Sequence, residues 1–355
     1  MRLNLTRCAA ALMLLAPLAT LAQTTPASKT PAVCATPSSP IIDESYIKIG
    51  GIEQWVTIRG ARCDNPVILF VHGGPGNALS PYSHAIYGAW EKDFTIVHWD
   101  QRGAGKTFLR NPATDDTVLT IEQMAADGVE VASYITAHLR QPQVILLGGS
   151  WGSALGVTMV HLKPALFSAY IGVGQMVTYR DNIVASYTKT LGLARAAGDS
   201  VTVAALEALG APPWTNPRNS GVLRRATRVY EAKTALPAPK AWWTPEAQYA
   251  TPQYEAAAEA ADDYSYLQFV GMTGKGIASR LDLPTLGLKF DMPVYIFEGD
   301  GDLVTVPEVA RRYFERITAP HKEFIPVPQA GHDPNGALVD AEFGLLKRLR
   351  ARGLN

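Results

Sequence analysis

Six short runs along the chain are apolar at nearly every position: Val67 to Val71, Thr95 to Trp99, Val144 to Leu147, Ala169 to Val173, Val294 to Glu298 and Phe324 to Val327. A strand with one wet face alternates apolar and polar residues, so unbroken apolarity predicts strands covered on both faces, as in a parallel sheet. Ahead of them, Glu44 to Ile49 and Ile52 to Arg59 flank Gly50-Gly51 and read as an antiparallel hairpin. Between the second and third runs, Thr120 and Gln123 form a capping-box pattern. Ile121, Met124, Ala125, Ala132, Ile135 and Leu139 then recur at helical spacing. Strands that alternate with helices predict an α/β fold, a mostly parallel sheet with helices on both faces.

The alternation stops near Thr178 and returns near Met292. The stretch between is Ala-rich, helix-favouring and studded with Pro and aromatic residues, and it reads as a helical cap over residues 178–290. Core segments 41–177 and 291–355 would flank it. The alternative is a second, independently folding domain, but strand-like runs resume after the insertion and complete the sheet.

Residues 23–40 are rich in Pro, Thr, Ser and Ala without apolar periodicity, which predicts a disordered leader. Before them, Arg2 and Arg7 precede an apolar run from Ala9 to Leu21. The run falls short of the ~20 residues that cross a bilayer, so residues 1–22 are expected to be a removed signal peptide, with the mature chain periplasmic or secreted and free of the membrane. An exported chain meets an oxidising compartment, where Cys34 and Cys63, which flank the predicted hairpin, can pair.

Composition narrows the partners. The 32 Lys and Arg balance the 32 Asp and Glu, and the basic residues are scattered, so neither a polyanionic partner nor nucleic acid is expected. The seven histidines lack metal-ligand spacing. No metal and no cofactor is expected, and the oligomeric state has no sequence signature.

Chemistry enters where the third run ends in Gly148-Gly149-Ser150-Trp151-Gly152. A serine on a sharp strand-to-helix turn is the nucleophile-elbow pattern, and glycines two residues to either side leave room for the turn. The first run empties into His72-Gly73-Gly74-Pro75-Gly76. A glycine-rich turn there can offer a backbone N–H to the oxygen that turns negative in acyl transfer, with Gly74 the candidate donor and the Trp151 N–H the second. A serine hydroxyl also needs a histidine to take its proton and a carboxylate to orient that histidine. Asp300 and Asp302 follow the Val294 run, and His332 follows the last strand. Asp302 precedes the turn into a helix near Pro307, which favours it over Asp300. His161 and His321 stand elsewhere in the strand and helix pattern.

Together, His72 to Gly76, the stretch from Trp99 to Thr107 (WDQRGAGKT), Gly148 to Ser153, GDGD and GHD resemble the proline iminopeptidase (prolyl aminopeptidase) family. The resemblance covers roughly residues 44–177 and 291–340. It implies an α/β-hydrolase fold with a helical cap and a serine peptidase that releases an N-terminal residue, typically proline, from small peptides. Ser150 would be the nucleophile, Asp302 the acid, His332 the base, and Gly74 and Trp151 the oxyanion hole. Asp100 and Arg102 would form a buried pair beneath the site. Family aminopeptidases hold the substrate amine with cap glutamates, one commonly in Trp-Glu; here Trp243 and Glu246 are not adjacent, and Glu231 is another candidate. The alternatives are an esterase, lactonase or amidase for a small apolar substrate, and a ligand-binding protein on a retired hydrolase scaffold. Epoxide hydrolases and dehalogenases place aspartate at the elbow, where this chain has Ser150.

Overall fold

Eight strands form one sheet in the order β1-β2-β4-β3-β5-β6-β7-β8. The computed structural model describes Cys34, residues 36–114 and residues 117–353. The strands are β1 (Ile41–Ile49), β2 (Ile52–Gly60), β3 (Val67–Val71), β4 (Thr95–Trp99), β5 (Val144–Gly149), β6 (Phe167–Val173), β7 (Val294–Gly299) and β8 (Lys322–Val327). The hairpin pairs Ile41 with Gly60 and Ile49 with Ile52, β2 runs antiparallel to β4, and the remaining neighbours are parallel. All six apolar runs lie in strands; the first five are buried almost throughout between helical layers, whereas the sixth lies in the edge strand β8, where Pro326 is exposed.

The helices are α1 (Ser83–Tyr87), α2 (Gly105–Arg110), α3 (Ile121–Leu139), α4 (Trp151–Leu162), α5 (Tyr179–Ala196), α6 (Ser200–Leu209), α7 (Pro217–Glu231), α8 (Pro252–Val270), α9 (Pro307–Arg316) and α10 (Gly336–Ala351). The Thr120 side chain accepts from Gln123 N at 3.1 Å and so caps α3 where the sequence places the start. Alternate strand residues face opposite helical layers. Val67, Leu69 and Val71 pack with α3, α4 and α9, whereas Ile68 and Phe70 pack with α1 and α10. The loops that carry Gly74, Ser150 and Asp302 leave from the carboxyl ends of β3, β5 and β7.

Between β6 and β7 the described chain contains helices α5 to α8 and short 3₁₀ turns. Ile277, Ala278, Leu281, Leu283 and Phe290 at the end of this stretch already belong to the α4 side of the core. From Cys34 onward the described residues form one compact unit.

Two expectations need correction here. Residues 36–40, counted with the disordered leader, form a turn: Cys63 N donates to Ser39 O at 2.9 Å, Asp64 N donates to Pro37 O at 3.0 Å, and a Cys34–Cys63 disulfide closes the stretch. The cross-link and these two bonds supply the order that the composition lacks. Arg102 does not pair with Asp100 but with Asp127 of α3, Nε to Oδ2 at 2.9 Å. Asp100 instead accepts from Ser80 Oγ at 2.5 Å and from Lys106 N at 2.8 Å. The predicted signal peptide lies outside the described residues.

Candidate active site

At the end of β5 the backbone of Ser150 takes φ 53° and ψ −122°, a sparsely populated conformation that costs about 1–3 kcal/mol. Three hydrogen bonds hold it there. Ser150 N donates to Val173 O at 2.8 Å, and Ser150 O accepts from Ser153 N at 2.9 Å and Ser153 Oγ at 2.6 Å. The glycine spacing has a direct steric cause. A Cβ on Gly148 would fall 2.3 Å from Gly152 O, and one on Gly152 would fall 2.0 Å from Val71 O of β3. Gly149 meets nothing within 4 Å, so the turn does not need a glycine there.

The Ser150 hydroxyl meets the residues that the spacing selects. Ser150 Oγ is 3.0 Å from His332 Nε2, and His332 Nδ1 is 2.9 Å from Asp302 Oδ2. Asp302 Oδ1 accepts from Val304 N at 2.7 Å and Thr305 N at 2.9 Å, while Oδ2 accepts from Thr305 Oγ1 at 2.7 Å. Burial works against the Asp302 charge, but His332, Thr305 and Val304 N–H outweigh it and hold the carboxyl below its ordinary range. Burial alone would push the His332 imidazole down; the facing Asp302 carboxylate overcomes that and leaves it above its usual value. Asp300 is exposed and takes no part in this line. A hydroxyl, an imidazole and a carboxylate so linked can pass a proton from the oxygen to the ring while the carboxylate stabilises the imidazolium.

Gly74 adopts φ 111°, and a Cβ there would lie 2.3 Å from Gly76 N and 2.5 Å from Asn77 N, so the loop after β3 requires glycine. Trp151 opens α4, where an amide N–H stands outside the intrahelical ladder and at the positive end of the helix dipole. Both amides therefore belong to turns that flank Ser150.

Gln101 ties these turns together, and the sequence reading passed it over. Its Oε1 accepts from Trp151 Nε1 at 3.0 Å, its Nε2 donates to His72 O at 2.7 Å, and its N–H donates to His72 Nε2 at 3.1 Å. With Nε2 accepting, the His72 proton sits on Nδ1 and is donated to Gly73 O at 2.8 Å. Burial lowers His72 to about 4, which keeps it neutral in that tautomer. The signal was a polar pair, Asp100-Gln101, at the end of an apolar run, inside the motif from Trp99 to Thr107. Thr305, the further partner of Asp302, had no such signal.

A cavity of about 680 Å³ opens over the hydroxyl and is lined by Ser150, His332, Gly73, Gly74, Tyr254 and Trp243 among others. Trp243 is thus at the site. Glu231 stands behind the lining: its Oε1 accepts from Leu303 N at 2.8 Å and its Oε2 pairs with Arg224 at 3.2 Å. Glu246 lies away from the cavity and pairs with Arg59 at 2.8 Å. Among the described residues, no group of three or more His, Cys, Asp or Glu side chains could hold a metal ion.

A model of the alpha/beta hydrolase fold matches residues 66–335. The chain belongs to the alpha/beta hydrolase fold family. As a member it is a hydrolase, and its relatives carry peptidase names. It is 25% identical over 292 residues to a probable aminopeptidase, YbaC, of Bacillus subtilis, which covers 81% of this chain and 90% of that one. It is also 25% identical over 319 residues to a proline iminopeptidase of Neisseria gonorrhoeae, across 86% of this chain and 96% of that one. The solved proline iminopeptidase of Mycobacterium smegmatis shares the fold with a TM-score of 0.58 and 18% identity, over 88% of this chain and 96% of that one.

Proposed function

We propose that the chain is a serine hydrolase that releases an N-terminal residue, proline or another small one, from short peptides through an acyl-enzyme. The observation that carries the reading is the unbroken line from Ser150 Oγ through His332 to Asp302 at 3.0 and 2.9 Å, set on the strained turn at Ser150. Ser150 Oγ attacks the carbonyl carbon as His332 Nε2 takes the hydroxyl proton, and His332 then gives that proton to the leaving amine as the C–N bond breaks. Water, deprotonated by the same imidazole, releases the acyl group and restores Ser150. The N–H groups of Gly74 and Trp151 receive the oxyanion in each step. One such donor is worth about 10²–10³ in rate. The names of the relatives support the peptidase assignment.

One observation favours a second reading. Both cap glutamates expected to hold an amine, Glu231 and Glu246, are engaged by Leu303 N, Arg224 and Arg59. An esterase, lactonase or amidase for small apolar acyl groups needs no amine anchor. Comparing prolyl and alanyl naphthylamides with p-nitrophenyl esters decides between them: turnover of the free aminoacyl amides supports the peptidase, and ester turnover without any amide turnover rejects it. The proposal includes export through residues 1–22 to the periplasm or medium, a placement that the Cys34–Cys63 disulfide supports.

A further inference from the structure

The cavity over Ser150 does not end at the catalytic loops. Its lining continues through Phe70 of β3, Leu147 of β5, Tyr87 of α1, and Leu338 and Glu342 of α10. All but Glu342 belong to the apolar core on the α10 face of the sheet. This buried part of the lining, the deep arm of the cavity, is apolar except for the Tyr87 phenol and the Glu342 carboxyl. Glu342 is 2% exposed, and its Oε2 is buried with no hydrogen-bond partner. Among the described residues no Lys, Arg or His forms an ion pair with it.

From this geometry we infer that Glu342 receives an ammonium group carried by the acyl part of the substrate. The inference rests on the hydrolase reading of Ser150 and specifies which acyl groups that site takes.

A buried carboxyl without a partner is costly, and native structures retain such a group where something else completes it. Burial pushes Glu342 up to about 8, and its proximity in turn raises the Tyr87 phenol beyond what burial does. At neutral pH the carboxyl therefore keeps its proton while the arm is empty. An arriving ammonium lets it ionise, and the pair forms in a low-dielectric arm where the attraction is strong. A hydroxyl or amide donor would gain only one neutral hydrogen bond.

The ion pairs around the cavity point the same way. On the cap side, Arg224 of α7 is already paired with Glu231 at 3.2 Å and Asp333 at 3.0 Å, so Glu342 is the carboxyl of the lining left without a cationic partner among the described residues. Glu342 stands six residues beyond Gly336, about 9 Å along α10 from its start. Two sources can supply the ammonium: the α-amine of the N-terminal residue, or an amine at the end of its side chain.

Purified wild-type protein and Glu342→Gln are compared on alanyl, lysyl and 6-aminohexanoyl naphthylamides and on their N-acetylated counterparts, the lysyl one acetylated on both amines. Glu342→Gln is expected to reduce the preference for free over blocked substrate in kcat/KM by about 10–100-fold, chiefly through KM. A loss on the alanyl substrate assigns the α-amine, and a loss confined to the lysyl and 6-aminohexanoyl substrates assigns the distal amine. A second arm measures inhibition of p-nitrophenyl butyrate hydrolysis by n-butylamine and by 1-butanol. Butylamine should inhibit the wild type at least tenfold more strongly than it inhibits Glu342→Gln, with no such difference for butanol.

Equal effects of the substitution on free and blocked substrates, or on amine and alcohol, would overturn the inference. Glu342→Leu, which matches the apolar lining, repeats both arms if the amide variant folds poorly. Should the wild type cleave esters but no aminoacyl amide, the peptidase reading fails while the butylamine arm still decides the role of Glu342.

Discussion

Asp302, behind the cavity-lining His332, and Glu342, in the lining itself, are both buried carboxyls, at 1% and 2% exposure, yet they sit in opposite charge states. Asp302 accepts from two backbone amides, the Thr305 hydroxyl and the His332 ring, and those partners keep it ionised against the pull of burial. Glu342 has burial alone, which raises it to about 8. The lesson is that burial does not set the role of an acid; its partners do. Around Asp302 the protein supplies every partner itself, so the charge is preorganised. In the deep arm the missing partner leaves room for a ligand.

The largest test of this contrast removes the charge that the fold has prepared. Asp302→Asn should lower kcat by about 10³–10⁴, because the amide fixes the wrong His332 tautomer and no longer stabilises the imidazolium. A loss under tenfold would show that Asp302 is not the partner that matters. The same pairing sets the acid limb of the pH profile. A base must be neutral to act, and Asp302 holds His332 above its ordinary value of about 6.5. Activity should therefore fall as pH drops through a midpoint above that value, and a midpoint below it would contradict the pairing.

Glu342 predicts the opposite sign in stability. Its folded-state pKa is raised, so the folded protein holds a proton that the unfolded chain releases, and the stability that this proton represents is lost as pH rises from about 4.5 towards 8. Glu342→Leu should raise Tm by a few degrees at pH 8 and by less at pH 4.5. A larger gain at the acid end would mean that the carboxyl is paired. The smallest effect belongs to Glu246, which the cap sequence suggests and Arg59 occupies. Glu246→Gln should change the preference for free over blocked amines less than twofold; a change like that expected for Glu342→Gln would move the amine site into the cap.

The contrast also tracks what the sequence could reveal. Ser150, His332 and Asp302 each sit at the end of a strand whose apolar run is visible, and their chemistry demands fixed residue types in a fixed order, so they were legible. The steric demand for Gly148 and Gly152 was legible for the same local reason. Gln101 lay inside a visible motif, but its role depends on Trp151 and His72 arriving from two other strands. Arg102 went to Asp127 because α3 packs beside the β1–β2 turn, a contact that no local pattern contains. Glu342 reads in sequence as one more helix carboxylate. Only packing α10 against Phe70, Tyr87 and Leu147 turns it into a buried group facing a cavity. Cap residues suffer most from this, since helix periodicity says which face is apolar and nothing about which side chain reaches the site.

The central claim, that Ser150 is an activated nucleophile, has a direct measurement. Intact folded protein is treated with a fluorophosphonate, and the modified residue is located by peptide mass spectrometry. The account predicts a single adduct on Ser150, absent in Ser150→Ala and slowed in His332→Ala. Folded wild-type protein that takes no label, or takes it at another residue, would contradict it.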